Sequence, residues 1–255
     1  MGNPSGPAWG ICWPSTDYCE ELLRAHFGAL EVESYDNSDY EKATHIIDMN
    51  KPIDINNAYD TVIDFGCLEH IYNAPQALRN VTSMCRSGGQ ILHVLPSNDF
   101  CGHGFWQFSP ELFFSLYSKA NGYQETQVFV AHTLRGNHWY EVKQPSNGKR
   151  AMVCGRNQYI VVRTVKGTFF SHDNVQQSDY LVVWEKQGLP LYRENKFSVK
   201  AILRFALRFT GLLPAARYVY RELYWRFIED RLAISMSTWN PNLTKLSLRD
   251  LLGRD

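Results

Sequence analysis

Hydrophobic and polar positions along the chain fall into short runs that predict alternating strands and helices. Thr61 to Phe65 is a brief apolar run rich in β-branched residues, too short for a helix, and predicts a strand. From Pro75 to Cys85 the apolar residues Ala77, Leu78, Val81 and Met84 recur at helical spacing. Gly88 and Gly89 follow, where glycine commonly ends a helix. Ile91 to Leu95 is a second apolar run, closed by Pro96. Strand, helix and strand within about forty residues make a βαβ unit, whose crossover is expected to be right-handed and whose strands are expected to be parallel.

The flanking segments extend the same pattern. Ser15-Thr16-Asp17 can cap a helix from Tyr18 to Phe27, ended by Gly28. Leu30 to Tyr35 alternates apolar and acidic residues and stops at Asp36; Ala43 to Ile47 leads into Asp48-Met49-Asn50. Both predict strands. Ser109 and Pro110 open a helix whose apolar face carries Leu112, Phe113, Leu116 and Tyr117, with Asn121-Gly122 as its end. Thr126 to Ala131 and Tyr159 to Val165 predict two more strands, with a long polar stretch from His132 to Gly155 between them, and Tyr180 to Trp184 adds an edge strand. From Phe197 the composition changes: apolar and aromatic residues alternate with Lys200, Arg204, Arg208, Arg217, Arg221, Arg226 and Arg231, and Pro214 divides the segment into two helices. Residues 240–255 read as a loosely ordered terminus. The expected organisation is an α/β domain over 1–190 and a basic amphipathic helical tail over 191–255.

Composition narrows the class. A chain that is 44% hydrophobic can bury a core, and a formal net charge of zero offers no global attraction for nucleic acid. Six cysteines without a close pair argue against a disulfide scaffold or a cysteine zinc site and point to a reducing compartment. No signal peptide and no membrane-spanning window are expected, which favours a cytoplasmic location. The basic helices of 197–236 suit peripheral contact with an anionic membrane, or packing as a hairpin on the main domain. His103, His132 and His138 lack tight ligand spacing, so no metal site is expected from them.

Candidate chemistry gathers where strands end, because open α/β sheets bind ligands beyond the carboxyl ends of their strands. Those ends are Phe65-Gly66-Cys67-Leu68-Glu69-His70 and Pro96-Ser97-Asn98-Asp99, with Asp36 and Asp48 earlier in the chain. An acidic residue at such an end suits a ribose hydroxyl; a turn or helix-capping role is the structural alternative for each aspartate.

The series VESYDNSDYEKATHIIDMN, YDTVIDFGCLEHIYNAPQAL and SGGQILHVLPSN resembles class I S-adenosylmethionine-dependent methyltransferases. GHGFWQFSPELF is similar to members of that family that modify polysaccharides and surface glycans. The resemblance covers residues 16 to 185. It implies a Rossmann-like, mostly parallel sheet of order 3-2-1-4-5-7-6 with the last strand antiparallel. The family's first strand and glycine-rich loop have no counterpart before Tyr18, so the fold is expected to be incomplete at its N-terminal part. By positional carry-over, Asp36 contacts the ribose of S-adenosylmethionine, Asp48 and Met49 flank the adenine, and Asp64, Phe65 and Gly66 line the cofactor.

The implied activity is methyl transfer to an oxygen, expected on a sugar hydroxyl of a glycan or glycolipid. Such a hydroxyl needs a general base or a metal at the oxygen. Histidine suits the base role, with His70 first and His103 second; for His70 a helix-start position bonded to a backbone carbonyl is the plain alternative. Phe105 and Trp106 could stack on a sugar face or pack in the core. The rival reading is a catalytically silent relative acting as a binding or scaffold module.

Overall fold

A computed structural model describes residues 19–132, 139–144, 157–173, 175–178, 180, 218–219 and 243–246. Along the chain lie α1 (Glu20–Phe27), β1 (Tyr35–Asp36), β2 (His45–Ile46), β3 (Tyr59–Phe65), α2 (Ala74–Met84), β4 (Cys85–Asn98), α3 (Pro110–Leu116), β5 (Tyr123–His132), β6 (Trp139–Val142), β7 (Gln158–Lys166) and β8 (Leu243–Leu246). Single 3-10 turns cover Leu68–His70 and Lys119–Asn121.

The predicted βαβ unit is present as β3-α2-β4, with β3 and β4 parallel and Val62 in register with Ile91. Its helix begins with Pro75 inside the first turn, where a missing N–H costs nothing. It buries Ala77, Leu78, Val81 and Met84 in the core. Two glycines play a different part from the one expected. The helix stops at Met84 and the chain turns directly into β4 at Cys85, so Gly88 and Gly89 lie within the strand. Gly88 adopts φ +76°, and a Cβ on Gly89 would stand 2.7 Å from the Asp60 carbonyl oxygen. Close approach of two backbones, together with a left-handed residue, explains the pair.

The expected mostly parallel sheet is corrected. The six-stranded sheet runs β3-β4-β7-β5-β6-β8, and only its β3–β4 pair is parallel. β7 enters between β4 and β5 and runs antiparallel to both. The residue pattern fits this. Ile91, His93 and Leu95 of β4, and Ile160, Val162 and Thr164 of β7, are buried at every second position. Strands buried on both faces would instead read as continuous apolar runs. The buried face packs on Phe108, Phe113, Leu116 and Tyr117 from the α3 region, and each large apolar side chain removed from water there contributes roughly 1.5–3 kcal/mol.

Further corrections fall at the edges. Trp139–Val142, inside the stretch expected to be a polar loop, is a strand paired with β5. Leu243–Leu246, expected within a loose terminus, pairs antiparallel with β6 and brings a buried Leu246 to the sheet. The strands expected over Leu30–Tyr35 and Ala43–Ile47 shrink to two residues each and form a parallel sheet of their own. Side chains join that small sheet to β3: Tyr35 stacks on His45, meets Tyr59 edge-on and hydrogen-bonds its hydroxyl, and Tyr59 also bonds Glu33.

The first helix starts two residues later than expected and ends at Gly28, which takes φ +68°. The expected cap Ser15-Thr16-Asp17 lies outside the described residues, as do Leu181–Trp184 of the expected edge strand; Tyr180 instead closes a turn by bonding the Gln177 carbonyl. Of the basic segment 197–236, only Tyr218 and Val219 are described, both helical and exposed. Among the described residues, no helix is long and apolar enough to cross a membrane.

Candidate active site

The site is built where β3 and β4 end side by side. At the tip of β3 Gly66 turns the chain with φ +83°, its N–H held by the Val94 carbonyl at 3.0 Å. The turn that follows hangs on Asp64. One carboxylate oxygen, Oδ1, accepts the N–H groups of Cys67 and Leu68 at 3.2 Å each. The other, Oδ2, lies 2.6 Å from His93 Nδ1. Its far ring nitrogen, Nε2, lies 2.7 Å from the Tyr117 hydroxyl. With Nδ1–H donating to the carboxylate, Nε2 accepts from Tyr117 O–H, which fixes the tautomer. Burial pushes the Tyr117 hydroxyl well above its ordinary pKa, so it stays a donor. Asp64 is thus an internal pin, with its carboxylate turned into the protein.

Fixing that turn sets Glu69. It is 1% exposed, although it carries a carboxylate on a surface turn. Oε1 lies 3.5 Å from His103 Nε2 and 3.9 Å from His70 Nε2, while Oε2 is buried with no hydrogen-bond partner. The two imidazoles meet edge to face at 4.8 Å and are about half exposed. His103 arrives on the segment after β4, which is fastened to the β3 turn through the backbone. The Glu69 carbonyl accepts N–H groups from Phe105 at 2.6 Å and Trp106 at 3.3 Å. Gly104 makes this possible: it takes φ +72°, and a Cβ there would lie 2.7 Å from the Glu69 carbonyl oxygen. Trp106 anchors the same segment by donating its indole N–H to the Ile71 carbonyl at 3.0 Å.

Cys67 reports on the surroundings. The residue is open to solvent, yet its thiol is pushed up to about 12, first by loss of hydration and then by the negative charges of Asp64, Glu69 and Asp36. Asp36 is therefore within electrostatic reach of the β3 tip. Its Oδ1 accepts from the Ser38 N–H at 2.7 Å and from the Ser38 hydroxyl at 3.1 Å.

Asp48 and Met49 sit in a loop tied to α2. Asp48 bonds the Asn50 backbone and side chain and pairs with Lys51, which hold its carboxyl below the usual carboxylate range. Asn80 of α2 donates to the Met49 and Lys51 carbonyls, and Asn73 donates its backbone N–H to Asn50 Oδ1 and its side-chain amide to the Asn50 carbonyl. Phe65 is 61% exposed at the strand tip, and Phe105 and Tyr72 form an exposed edge-to-face pair.

The structure thus gathers Glu69, His70 and His103 within one small cluster, and places Cys67 and the charge of Asp36 near the same strand tip. It does not bring His132 into that cluster, and His138 lies outside the described residues. Sequence reasoning singled out both histidines but not the buried state of Glu69; Gly104, with its φ of +72° and its close approach to the Glu69 carbonyl, marks the contact once the fold is known. An open recess of about 530 Å³ lies elsewhere, between the end of α3 and the start of β5. Its lining, Lys119 and Glu125 among it, includes no histidine or cysteine. No protein-family model matches the chain, and no curated protein matches its sequence.

Proposed function

We propose that the protein transfers a methyl group from S-adenosylmethionine to an oxygen acceptor, a sugar hydroxyl of a glycan or glycolipid. The observation that carries this reading is the strand order β3-β4-β7-β5 with β7 antiparallel to both neighbours. It corresponds to the 4-5-7-6 half of the sheet that the resemblance implies. In this reading β1 and β2 stand for the family's second and third strands, in a separate two-stranded sheet and without the first strand. The polar cluster then sits where such a sheet takes ligands, beyond the carboxyl ends of two parallel strands.

The chemistry asks little of the protein beyond position. The acceptor oxygen attacks the methyl carbon in line, the carbon–sulfur electrons return to sulfur, and the hydroxyl proton passes to a nearby base. His70 or His103 takes that proton, and the Glu69 carboxylate steadies the imidazolium that forms. Asp36 serves the ribose, Asp48 and Met49 the adenine, and Phe65 and Gly66 the cofactor's flank. Phe105, Trp106 and Tyr72 offer aromatic surface to the acceptor. The basic 197–236 segment brings the enzyme to a membrane surface where a lipid-linked acceptor resides.

One observation favours a second reading, a catalytically silent relative that binds or scaffolds. β1 and β2 form a separate sheet, joined to β3 through tyrosine side chains where the family places its first strand. Calorimetric titration of the full chain with S-adenosylhomocysteine separates the two. Binding at micromolar ligand, followed by label transfer from S-adenosylmethionine to a glycan acceptor, supports the enzyme. No heat and no thermal stabilisation at millimolar ligand leaves the scaffold.

A further inference from the structure

We propose that Glu69, His70 and His103 form a binding site for one divalent first-row transition ion, with zinc the best fit. The inference stands on the geometry of these three residues and does not require methyl transfer.

Three observations converge. Oε1 of Glu69 and one ring nitrogen from each histidine all lie within 4.8 Å of one another. Two ligand atoms at ordinary zinc distances in a tetrahedral site stand about 3.4 Å apart. The Glu69–His103 separation of 3.5 Å is already there, and the half-exposed His70 needs only a modest swing to close the set. Second, Glu69 is a carboxylate removed from water with Oε2 lacking any partner. A buried carboxylate held by long contacts alone is costly, and a cation between it and the two imidazoles supplies the missing charge. Third, the arrangement is braced. The paired Phe105 and Trp106 N–H bonds to the Glu69 carbonyl, with Gly104 making room, fix the His103 segment against the Glu69 turn from outside the ligand set.

The donor set selects the ion. Two imidazoles and one carboxylate suit zinc and its first-row neighbours, whereas magnesium and calcium prefer oxygen ligands and retain water. Among the described residues three protein ligands are present and two are half exposed, so the remaining coordination positions face solvent, as in a site that meets a substrate oxygen. With the ion bound, the imidazoles are ligands rather than bases, and lowering the pKa of an acceptor hydroxyl falls to the cation.

The test uses the full chain, stripped with chelator and titrated with cobalt(II) followed by visible absorption, then with zinc in competition. The expected result is one ion per chain, with the cobalt bands displaced by zinc. Glu69→Gln and His103→Asn should each weaken binding by about 100-fold or more, and magnesium should not compete. Because Glu69 is buried, its variant is checked for folding by circular dichroism; His103→Asn and His70→Asn, at half-exposed positions, decide the matter if it fails to fold. No stoichiometric binding at micromolar ion, or binding in both histidine variants as tight as in the unaltered protein, overturns the site. Neither readout involves the methyl donor, so loss of the metal site leaves the methyl-transfer reading with its imidazole base, and loss of donor binding leaves the metal site intact.

Discussion

Asp64 reaches His93 across the parallel pair, Oδ2 to Nδ1 at 2.6 Å, with both side chains withdrawn from water. Their backbones are register partners in β3 and β4. The contact therefore couples the two strands whose tips carry the candidate site. Asp64→Asn keeps the shape but places an amide where a carboxylate accepts three donors. Stability should fall by about 2–4 kcal/mol in urea unfolding. Unfolding at the wild-type midpoint would show that the Asp64–His93–Tyr117 chain is not a pin.

A methyl at position 104 should be felt at once. Gly104→Ala combines a left-handed backbone with a Cβ driven into the Glu69 carbonyl, and should cost about 2–3 kcal/mol. Gly102→Ala, two residues away, meets nothing within 4 Å and should be near neutral. Equal midpoints for the two variants would contradict the close approach.

Asp36 is partly exposed and, among the described residues, its side chain bonds the local Ser38 turn. Asp36→Ala should weaken S-adenosylhomocysteine binding about tenfold, worth about 1.4 kcal/mol, while thermal stability changes little. An unchanged dissociation constant would remove Asp36 from the cofactor site.

Acid should act through His172, far from the strand tips in sequence. Its Nε2 lies 2.9 Å from the Tyr123 hydroxyl, which in turn lies 2.9 Å from Thr82 Oγ1. Burial lowers the His172 pKa to about 4, with the Arg79 charge adding to the effect and Asp173 opposing it. The folded-state value is depressed, so the unfolded chain gains its proton first, near pH 6.5. Stability should decline as pH falls from about 6.5 to about 4, and be flat in this respect above that window. Allowing for partial exposure, the loss should be about 1–2 kcal/mol. His172→Gln should flatten that part of the urea-midpoint profile; parallel profiles would assign the acid sensitivity elsewhere.

Local patterns made the centre of the fold legible. β3, α2, β4, α3, β5 and β7 follow from apolar spacing, a proline at a helix start and serine at Ser109, whose hydroxyl accepts the Leu112 N–H. What stayed hidden depends on long-range pairing. Trp139–Val142 is short and reads as a strand only beside β5, and Leu243–Leu246 only beside β6. The glycine pair at 88–89 misled for a related reason, because Gly88 serves a left-handed backbone and Gly89 the close approach of Asp60 rather than a helix terminus. In the site, both histidines were visible by their position after strand tips. The burial of Glu69 was not, since it arises where the chain meets a segment more than thirty residues downstream, bonded to the Glu69 carbonyl through the Phe105 and Trp106 N–H groups.

The second partner of Trp139–Val142 is made about a hundred residues later in synthesis, at Leu243–Leu246. While the intervening chain leaves the ribosome, the edge of β6 away from β5 presents unsatisfied amide and carbonyl groups to solvent or to any neighbouring chain. Final closure is then a late event with a large loop entropy, and the nascent protein is open to chaperones or misassociation until it happens.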